Sequence, residues 1–171
     1  MDVYDGMIAR GILDENDRVE LIRGEIVEKM TIGDRHAACV KRLNALFQTL
    51  SQGRWIVGVQ DPVAFEDSQP EPDLARLQPR GDFYTESNLR ASDILRVIEV
   101  ADRWLDFDRD VKRPLYAEAG VSEYWIVNLT DSCVEIHRGP RSAGTYTDSQ
   151  TVAQEGTVSF QGLDLTVVQL F

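Results

Sequence analysis

The stretch Ile94-Leu95-Arg96-Val97-Ile98-Glu99-Val100-Ala101 decides the predicted fold, because it is apolar on both sides of its alternation except at Arg96 and Glu99. This pattern is typical of a central strand in a sheet whose two faces are both covered. A helical pattern follows over residues 106–119, and residues 123–128 (EYWIVN) predict a second interior strand. A strand, a helix and a strand in this order predict two parallel strands joined by a crossover helix.

Shorter predicted elements surround this unit. A short amphipathic helix is predicted in the first dozen residues, and Arg18–Met30 predicts two strands with a turn at Arg23-Gly24. A longer helix is predicted from Arg35 to Leu50, with Asp34 as its N-cap and Gln52-Gly53 at its end. Further strands are predicted at 55–59, 62–66, 73–77, 133–138, 152, 158–160 and 165–170, with a loop and short helix at 79–92 and a Gly/Ser loop at 139–144. We therefore predict an α/β fold in which helices flank a mixed central β-sheet, with additional antiparallel strands at both ends.

Composition limits the class of protein. A chain of 171 residues is long enough to bury its own core, so we predict one domain over residues 1–171. No apolar run approaches the ~20 residues of a membrane helix, and no basic segment leads into an apolar one at the N-terminus. Cys39 and Cys133 are far apart and lack metal-ligand spacing, which is typical of reduced thiols. We expect a cytoplasmic protein with no membrane partner.

The formal net charge of −11 argues against a large electrostatic footprint on nucleic acid. It is compatible with a metal-dependent site, since acidic residues are needed there and a bound cation reverses the local field. Lysine occurs only at Lys29, Lys41 and Lys112, so the position of Lys112 is informative.

Glu99 is the chemically unusual residue, because it interrupts an apolar run. Burying an unpaired carboxylate costs several kcal/mol, so a cation, a donor or a proton is expected as its partner. Asp73 follows Pro72 upstream, and Lys112 lies on the following helix. Two carboxylates, a lysine and the backbone carbonyl of Val100 are the groups that a Mg²⁺-dependent phosphodiester hydrolase uses.

Several stretches together resemble the Uma2 (DUF820) family, which belongs to the PD-(D/E)XK restriction-endonuclease-like superfamily. Those stretches are Val19–Val27, His36, Pro72–Ala75, Val97–Asp102, Asp108–Lys112 and Tyr116–Val127. The resemblance implies a restriction-endonuclease-like core with a metal-dependent nuclease site. Asp73 matches the aspartate after the proline, and Glu99 matches the first acid of the (D/E)XK half-motif. The lysine position of that half-motif is Ala101 here, and the resemblance implies that Lys112 takes its role.

The resulting interpretation is a metal-dependent endonuclease that hydrolyses DNA, with catalytic residues Asp73, Glu99, Lys112 and Glu20. We expect Mg²⁺ or Mn²⁺ as the cofactor, held by Asp73, Glu99, the Val100 carbonyl and Glu20. A homodimer or higher homo-oligomer is expected, because two-fold symmetry matches two antiparallel DNA strands. The possible auxiliary residues are His36, Asp108 and Tyr116, and the candidate phosphate contacts are Arg109 and Arg113.

Each residue also has a purely structural interpretation. Asp73 alone is most simply a strand-entry aspartate, Lys112 a solvated partner of Asp108 four residues away, and Glu20 a residue on a solvated strand face. Two alternative functions stay open: a catalytically silent binding or assembly module with the same fold, and another carboxylate-dependent hydrolase. A glycosidase would need two carboxyl groups and no divalent ion.

Overall fold

A six-stranded sheet forms the centre of the protein, a computed structural model that describes residues 2–14, 17–29, 32–86, 88–160 and 162–171. The strands are β1 (Val19–Ile22), β2 (Glu25–Glu28), β3 (Ile56–Gly58), β4 (Val63–Ala64), β5 (Leu74–Leu77), β6 (Leu89–Arg90), β7 (Ile94–Ala101), β8 (Glu123–Asn128), β9 (Cys133–Arg141), β10 (Thr145–Ala153), β11 (Thr157–Phe160) and β12 (Leu163–Thr166). The α-helices are α1 (Asp2–Ala9), α2 (Asp34–Ser51), α3 (Leu105–Phe107) and α4 (Arg113–Glu118). No helix within these described ranges combines the length and apolarity needed to cross a bilayer.

The central sheet has the order β10-β9-β8-β7-β5-β3. The pair β7–β8 is parallel and every other neighbouring pair is antiparallel, so the sheet is mixed. The hairpins β1–β2 and β11–β12 add antiparallel strands near the two ends of the chain. The predicted fold class and the predicted parallel crossover are therefore confirmed.

Alternation along β7 assigns its side chains to opposite faces of the sheet. Ile98 and Val100 join a core with α2 and the C-terminal hairpin. Val97 and Ala101 join a second core on the other face, which includes Tyr116 of α4. Glu99 lies between Val97 and Ala101 and therefore points to the face that the crossover helix covers.

The crossover consists of α3, a π-helical turn over Asp108–Lys112, and α4, without a break in the chain. We call residues 105–118 the crossover helix. Pro114 lies in the first turn of α4, where its missing N–H is tolerated. The π turn over Asp108–Lys112 directly precedes α4 and widens the helix locally. Gly120 then adopts a φ of +81° just after the helix end, as predicted for a C-terminal glycine.

The structure corrects three predicted elements. Half of the proposed loop at 139–144 is strand, because Gly139 adopts a φ of +67° within β9 and pairing with β10 continues to Arg141. Gly33 is the N-cap of α2, and Asp34, predicted as the cap, is its first helical residue. Residues 167–170, predicted as strand, form a 3₁₀ turn after β12. Met30, predicted at the end of the second strand, lies outside the described residues.

His137 of β9 gives the fold a specific pH dependence. It is 4% exposed, its ring packs beside those of Tyr124 and Tyr146 at centroid distances of 6.0 and 5.9 Å, and its Nδ1 is 2.8 Å from the Ser149 hydroxyl. Burial, reinforced by the positive charges of Arg113 and Arg109, lowers the pKa of His137 to about 4, although Glu135 opposes this shift. The unfolded chain therefore takes up a proton near pH 6.5 that the folded chain refuses until about pH 4.

We expect this difference to reduce stability as the pH falls from about 6.5 to about 4, by on the order of 3 kcal/mol in total. Urea unfolding of wild type and His137→Gln across this range measures it, because the variant loses only this contribution to the pH slope. Equal slopes for the two proteins would show that His137 does not titrate in this way.

Candidate active site

Asp73 and Glu99 are brought together by strand pairing. Strand β5 pairs with β7 in a register that sets Leu74 opposite Ile98, so Asp73, one residue earlier, comes beside Glu99. Each segment donates a backbone hydrogen bond to the carboxylate of the other segment. The Asp73 backbone N–H donates to Oε2 of Glu99 at 3.1 Å, and the Val100 backbone N–H donates to Oδ2 of Asp73 at 2.9 Å.

The other oxygen of Glu99 receives two donors from the crossover helix. Nζ of Lys112 lies 3.0 Å from Oε1, and the Tyr116 hydroxyl donates to the same atom at 2.9 Å. Glu99 is only 2% exposed, so these donors take the place of water. The cationic partner of Glu99 is therefore the lysine of the crossover helix.

Asp73 is held by residues from two further segments. Nε2 of His36, in the first turn of α2, lies 2.9 Å from Oδ2, and the Gln60 side chain donates to Oδ1 at 3.4 Å. Sequence reasoning missed Gln60. Its backbone takes a φ of +56°, which is uncommon for glutamine, and its N–H donates to the Pro72 carbonyl at 3.0 Å. No local sequence signal predicts that conformation.

Two more carboxylates, Glu20 and Asp108, surround Lys112. Glu20 of β1 lies 3.7 Å from Nζ of Lys112 and is 8% exposed, so the interpretation of Glu20 as part of a solvated face is wrong. Its hairpin is tied down by the backbone bonds from Gln69 to Leu21 and from Gly24 to Asp67. Asp108 is also buried, so four carboxylates and one ammonium share this region.

The crowding of carboxylates shifts their protonation. Burial raises the pKa of Glu99 to about 8, since Asp73, Asp108 and Glu20 add to the effect and only Lys112 opposes it. Burial likewise raises the pKa of Asp108 to about 7 and raises the pKa of Glu20. Near neutral pH the buried carboxyl groups are therefore not all ionised, and a bound cation would favour their ionised forms.

The pKa values of the two basic groups are also raised, which favours their charged forms. Burial alone would lower the pKa of Lys112, but the carboxylates, Glu99 first, raise it above its usual value, so Lys112 stays an ammonium. Burial also opposes protonation of His36, yet the hydrogen bond and charge of Asp73 raise the pKa of His36.

A cleft of about 490 Å³ opens onto these residues. The predicted site residues that line it are Glu20, His36, Asp73, Glu99, Val100, Asp108 and Lys112. Tyr116 is fully buried behind Glu99 and reaches the site through its hydroxyl. Arg109 and Arg113 do not line the cleft. Arg109 instead forms an ion pair with Glu135 of β9, with Nε–Oε2 and Nη2–Oε1 distances of 3.0 and 2.6 Å.

Comparison with known protein families decides the relationship. The family model Uma2, described as "Putative restriction endonuclease", matches residues 7–168. The chain belongs to the Uma2 family. The crystal structure of a "putative nuclease belonging to DUF820" from Anabaena variabilis ATCC 29413 has the same fold, with a TM-score of 0.76 and 16% identity over 95% of this chain and 94% of that chain. Comparison with curated proteins gives no match.

The Uma2 assignment and this structural similarity confirm the predicted restriction-endonuclease-like fold. The residues of the (D/E)XK pattern lie within the matched range, and Ala101 replaces the usual lysine. Nζ of Lys112 reaches Glu99 from the crossover helix across the small, buried Ala101 position. That Lys112 takes the role of the half-motif lysine stays a prediction.

The resemblance to the restriction-endonuclease-like superfamily implies a divalent cation, and the donor atoms of this site fit one. Mg²⁺ is commonly bound by one or two carboxylates, with waters and substrate phosphate oxygens completing its shell. Asp73 and Glu99 supply hard oxygen ligands, and Oδ1 of Asp73 receives only the long bond from Gln60. Within the described ranges, no three His, Cys, Asp or Glu side chains form a ready-made metal site. The fit therefore rests on two carboxylates and on the further carboxyl groups of Glu20 and Asp108 that line the same cleft.

Proposed function

We propose that this Uma2 protein is a Mg²⁺- or Mn²⁺-dependent endonuclease that hydrolyses DNA phosphodiester bonds. The observation that carries the proposal is the contact set of Glu99, which joins Asp73 on one oxygen and Lys112 with Tyr116 on the other. A purely structural ion pair would not need two further carboxylates, Glu20 and Asp108, at the same ammonium inside an open cleft.

In this proposal Asp73, Glu99 and the Val100 carbonyl would hold the cation, with Glu20 as a further ligand or a nearby acid. The bound cation would supply charge neutralisation at the phosphoryl group and lower the pKa of a bound water.

The chain's own residues position the reacting groups. The ammonium of Lys112 is fixed by Glu99 and Glu20, and from the cleft floor it would orient the attacking water or neutralise a phosphate oxygen. Tyr116 donates to the Glu99 carboxylate from its buried side, and this second donor helps to hold the carboxylate in its orientation. His36 and the Val100 N–H fix Asp73 in the same way.

The acidic chain is expected to bind DNA weakly without a cation, because the repulsion between the cleft carboxylates and phosphate is balanced only when the cation is present. We further propose that the protein acts as a homodimer in the cytoplasm. A two-fold dimer would present one site to each of two antiparallel strands, also where these strands are locally unpaired.

The test is cleavage of supercoiled plasmid and of single-stranded circular DNA with Mg²⁺, with Mn²⁺ or with EDTA. The assay is best run at about pH 8.5, because protons compete with a cation for Glu99, whose pKa is raised to about 8. The proposal expects cleavage with either metal and none with EDTA. Absence of cleavage on both DNA forms with both metals would instead favour the catalytically silent module.

A further inference from the structure

Trp104 stands at the mouth of the cleft and has no role in the proposed reaction. It is 50% exposed, whereas the other two tryptophans, Trp55 and Trp125, are buried in the core. Its backbone is fixed, since its carbonyl accepts the Phe107 N–H at 3.0 Å at the start of α3. The indole is therefore presented from a rigid position.

The segment before Trp104 is anchored as well. Nη1 of Arg35 lies 3.2 Å from Oδ1 of Asp102, and the Thr130 hydroxyl donates to the Asp102 carbonyl at 2.7 Å. These two contacts join the cleft mouth to α2 and to the end of β8. An exposed aromatic ring on such an anchored segment is a preorganised surface, which loses little conformational entropy when it binds.

The charge beside the indole favours an anionic ligand. Arg103 is exposed, lines the same mouth, and forms no ion pair or side-chain hydrogen bond with the residues that the structure describes. An aromatic ring next to a free cation is the combination with which proteins hold single-stranded nucleic acid, through base stacking and backbone attraction. A protein segment that entered the cleft would contact mainly carboxylates there.

The depth of the site also favours single-stranded nucleic acid as the ligand. Glu99 is 2% exposed, and Asp73 and Lys112 are each 8% exposed, so the groups proposed to react lie on the floor of the cleft. A phosphate in a continuous duplex is flanked by stacked, paired nucleotides that limit how far it enters a recess. Enzymes that must reach a base inside the stack act on single strands or turn a nucleotide out of the duplex, and a recessed site favours the same kind of substrate here.

We propose that Trp104 stacks on an unpaired base beside the scissile phosphate, with Arg103 contacting the adjacent backbone, so that the substrate is single-stranded or locally unpaired DNA. This inference rests on the proposed function for the cleavage step, but the base-stacking contact itself is measurable without cleavage.

The binding test uses a short single-stranded oligonucleotide and the blunt duplex of the same sequence, with Ca²⁺ in place of Mg²⁺. Trp55 and Trp125 also fluoresce but are buried away from a ligand, so the difference in quenching between wild type and Trp104→Phe reports on Trp104. Single-stranded DNA is expected to quench it, and duplex is expected to leave it unchanged. Anisotropy of a labelled oligonucleotide then gives affinities for Trp104→Ala, Trp104→Phe and the control Phe83→Ala, an exposed aromatic that lies away from the cleft.

Trp104→Ala should weaken single-strand binding about tenfold, Trp104→Phe should weaken it less, and Phe83→Ala should leave it unchanged. Absence of quenching by the single strand, or the same loss of affinity for duplex as for single strand in Trp104→Ala, overturns the inference. Cleavage is scored separately on the same samples. Selective binding that depends on Trp104, without any cleavage, would support the stacking contact and refute the nuclease proposal. Cleavage that Trp104→Ala leaves unaffected would support the nuclease proposal and refute the stacking contact.

Discussion

Replacing Lys112 by methionine is expected to lower the free energy of unfolding by about 3 kcal/mol near pH 8, because it leaves buried carboxylates without their shared cation. The loss should be smaller near pH 6. Without the ammonium, Glu99 binds a proton in the folded protein at a pH where the unfolded chain has released it, so stability falls as pH rises above the unfolded pKa. Urea unfolding at both pH values measures the effect.

A double-mutant cycle isolates the contact. Glu99→Gln combined with Lys112→Met should be more stable than the sum of the two single effects predicts, by about 1–3 kcal/mol, since the double variant leaves neither charge of the pair behind. Arg109→Met is the matched control. Arg109 is also a cation of the crossover helix that pairs with a carboxylate of the sheet, but its side chain is 35% exposed. Its loss should be smaller than that of Lys112→Met, because Arg109 is partly solvated and the Asn128 side chain still donates to Glu135. Equal losses in the free energy of unfolding for Lys112→Met and Arg109→Met would contradict the strong coupling assigned to the buried Lys112–Glu99 pair.

Glu99→Gln is expected to abolish metal-dependent cleavage, with a rate at least about a thousandfold below wild type. The amide keeps one oxygen for the donors Lys112 and Tyr116. It has no negative charge for a cation, and its NH₂ group cannot accept the Asp73 N–H. Initial rates of plasmid nicking with Mn²⁺ measure the change.

Glu135→Gln controls for the chemistry of the substitution. Glu135 is a buried, ion-paired carboxylate on the same sheet, and it lies outside the cleft. Nicking should persist in this variant within a few-fold of wild type. Loss of nicking in both glutamine variants would indicate damage to the fold, and retention in both would remove Glu99 from the reaction.

The parallel core was predictable because its signal is local. Apolar runs in β7 and β8, with a helical pattern between them, admit few arrangements, and the right-handed crossover follows. The same runs exposed Glu99 as an anomaly, and the four-residue spacing of Asp108, Lys112 and Tyr116 placed them on the face that meets it. The contacts of Glu99 with Lys112 and Tyr116 agree with that reasoning.

The rest of the site depends on contacts between distant segments. Glu20 alternates with apolar neighbours and so resembles a solvated residue, but its hairpin lies over the cleft and buries it. Gln60 reaches Asp73 only through a left-handed backbone that no propensity favours. The Gly-Pro pair at 139–140 indicated a loop, yet pairing with β10 carries β9 through it. In each case tertiary contacts outweigh the local preference of the residues.

The most direct test of the central claim is the rate of plasmid nicking against Mn²⁺ concentration for wild type, Asp73→Asn and Glu135→Gln. The account predicts a rate that rises and saturates with Mn²⁺ for wild type and Glu135→Gln, and no nicking for Asp73→Asn at any concentration. Nicking that persists in EDTA, or that survives in Asp73→Asn, would contradict a metal-dependent centre built on Asp73 and Glu99.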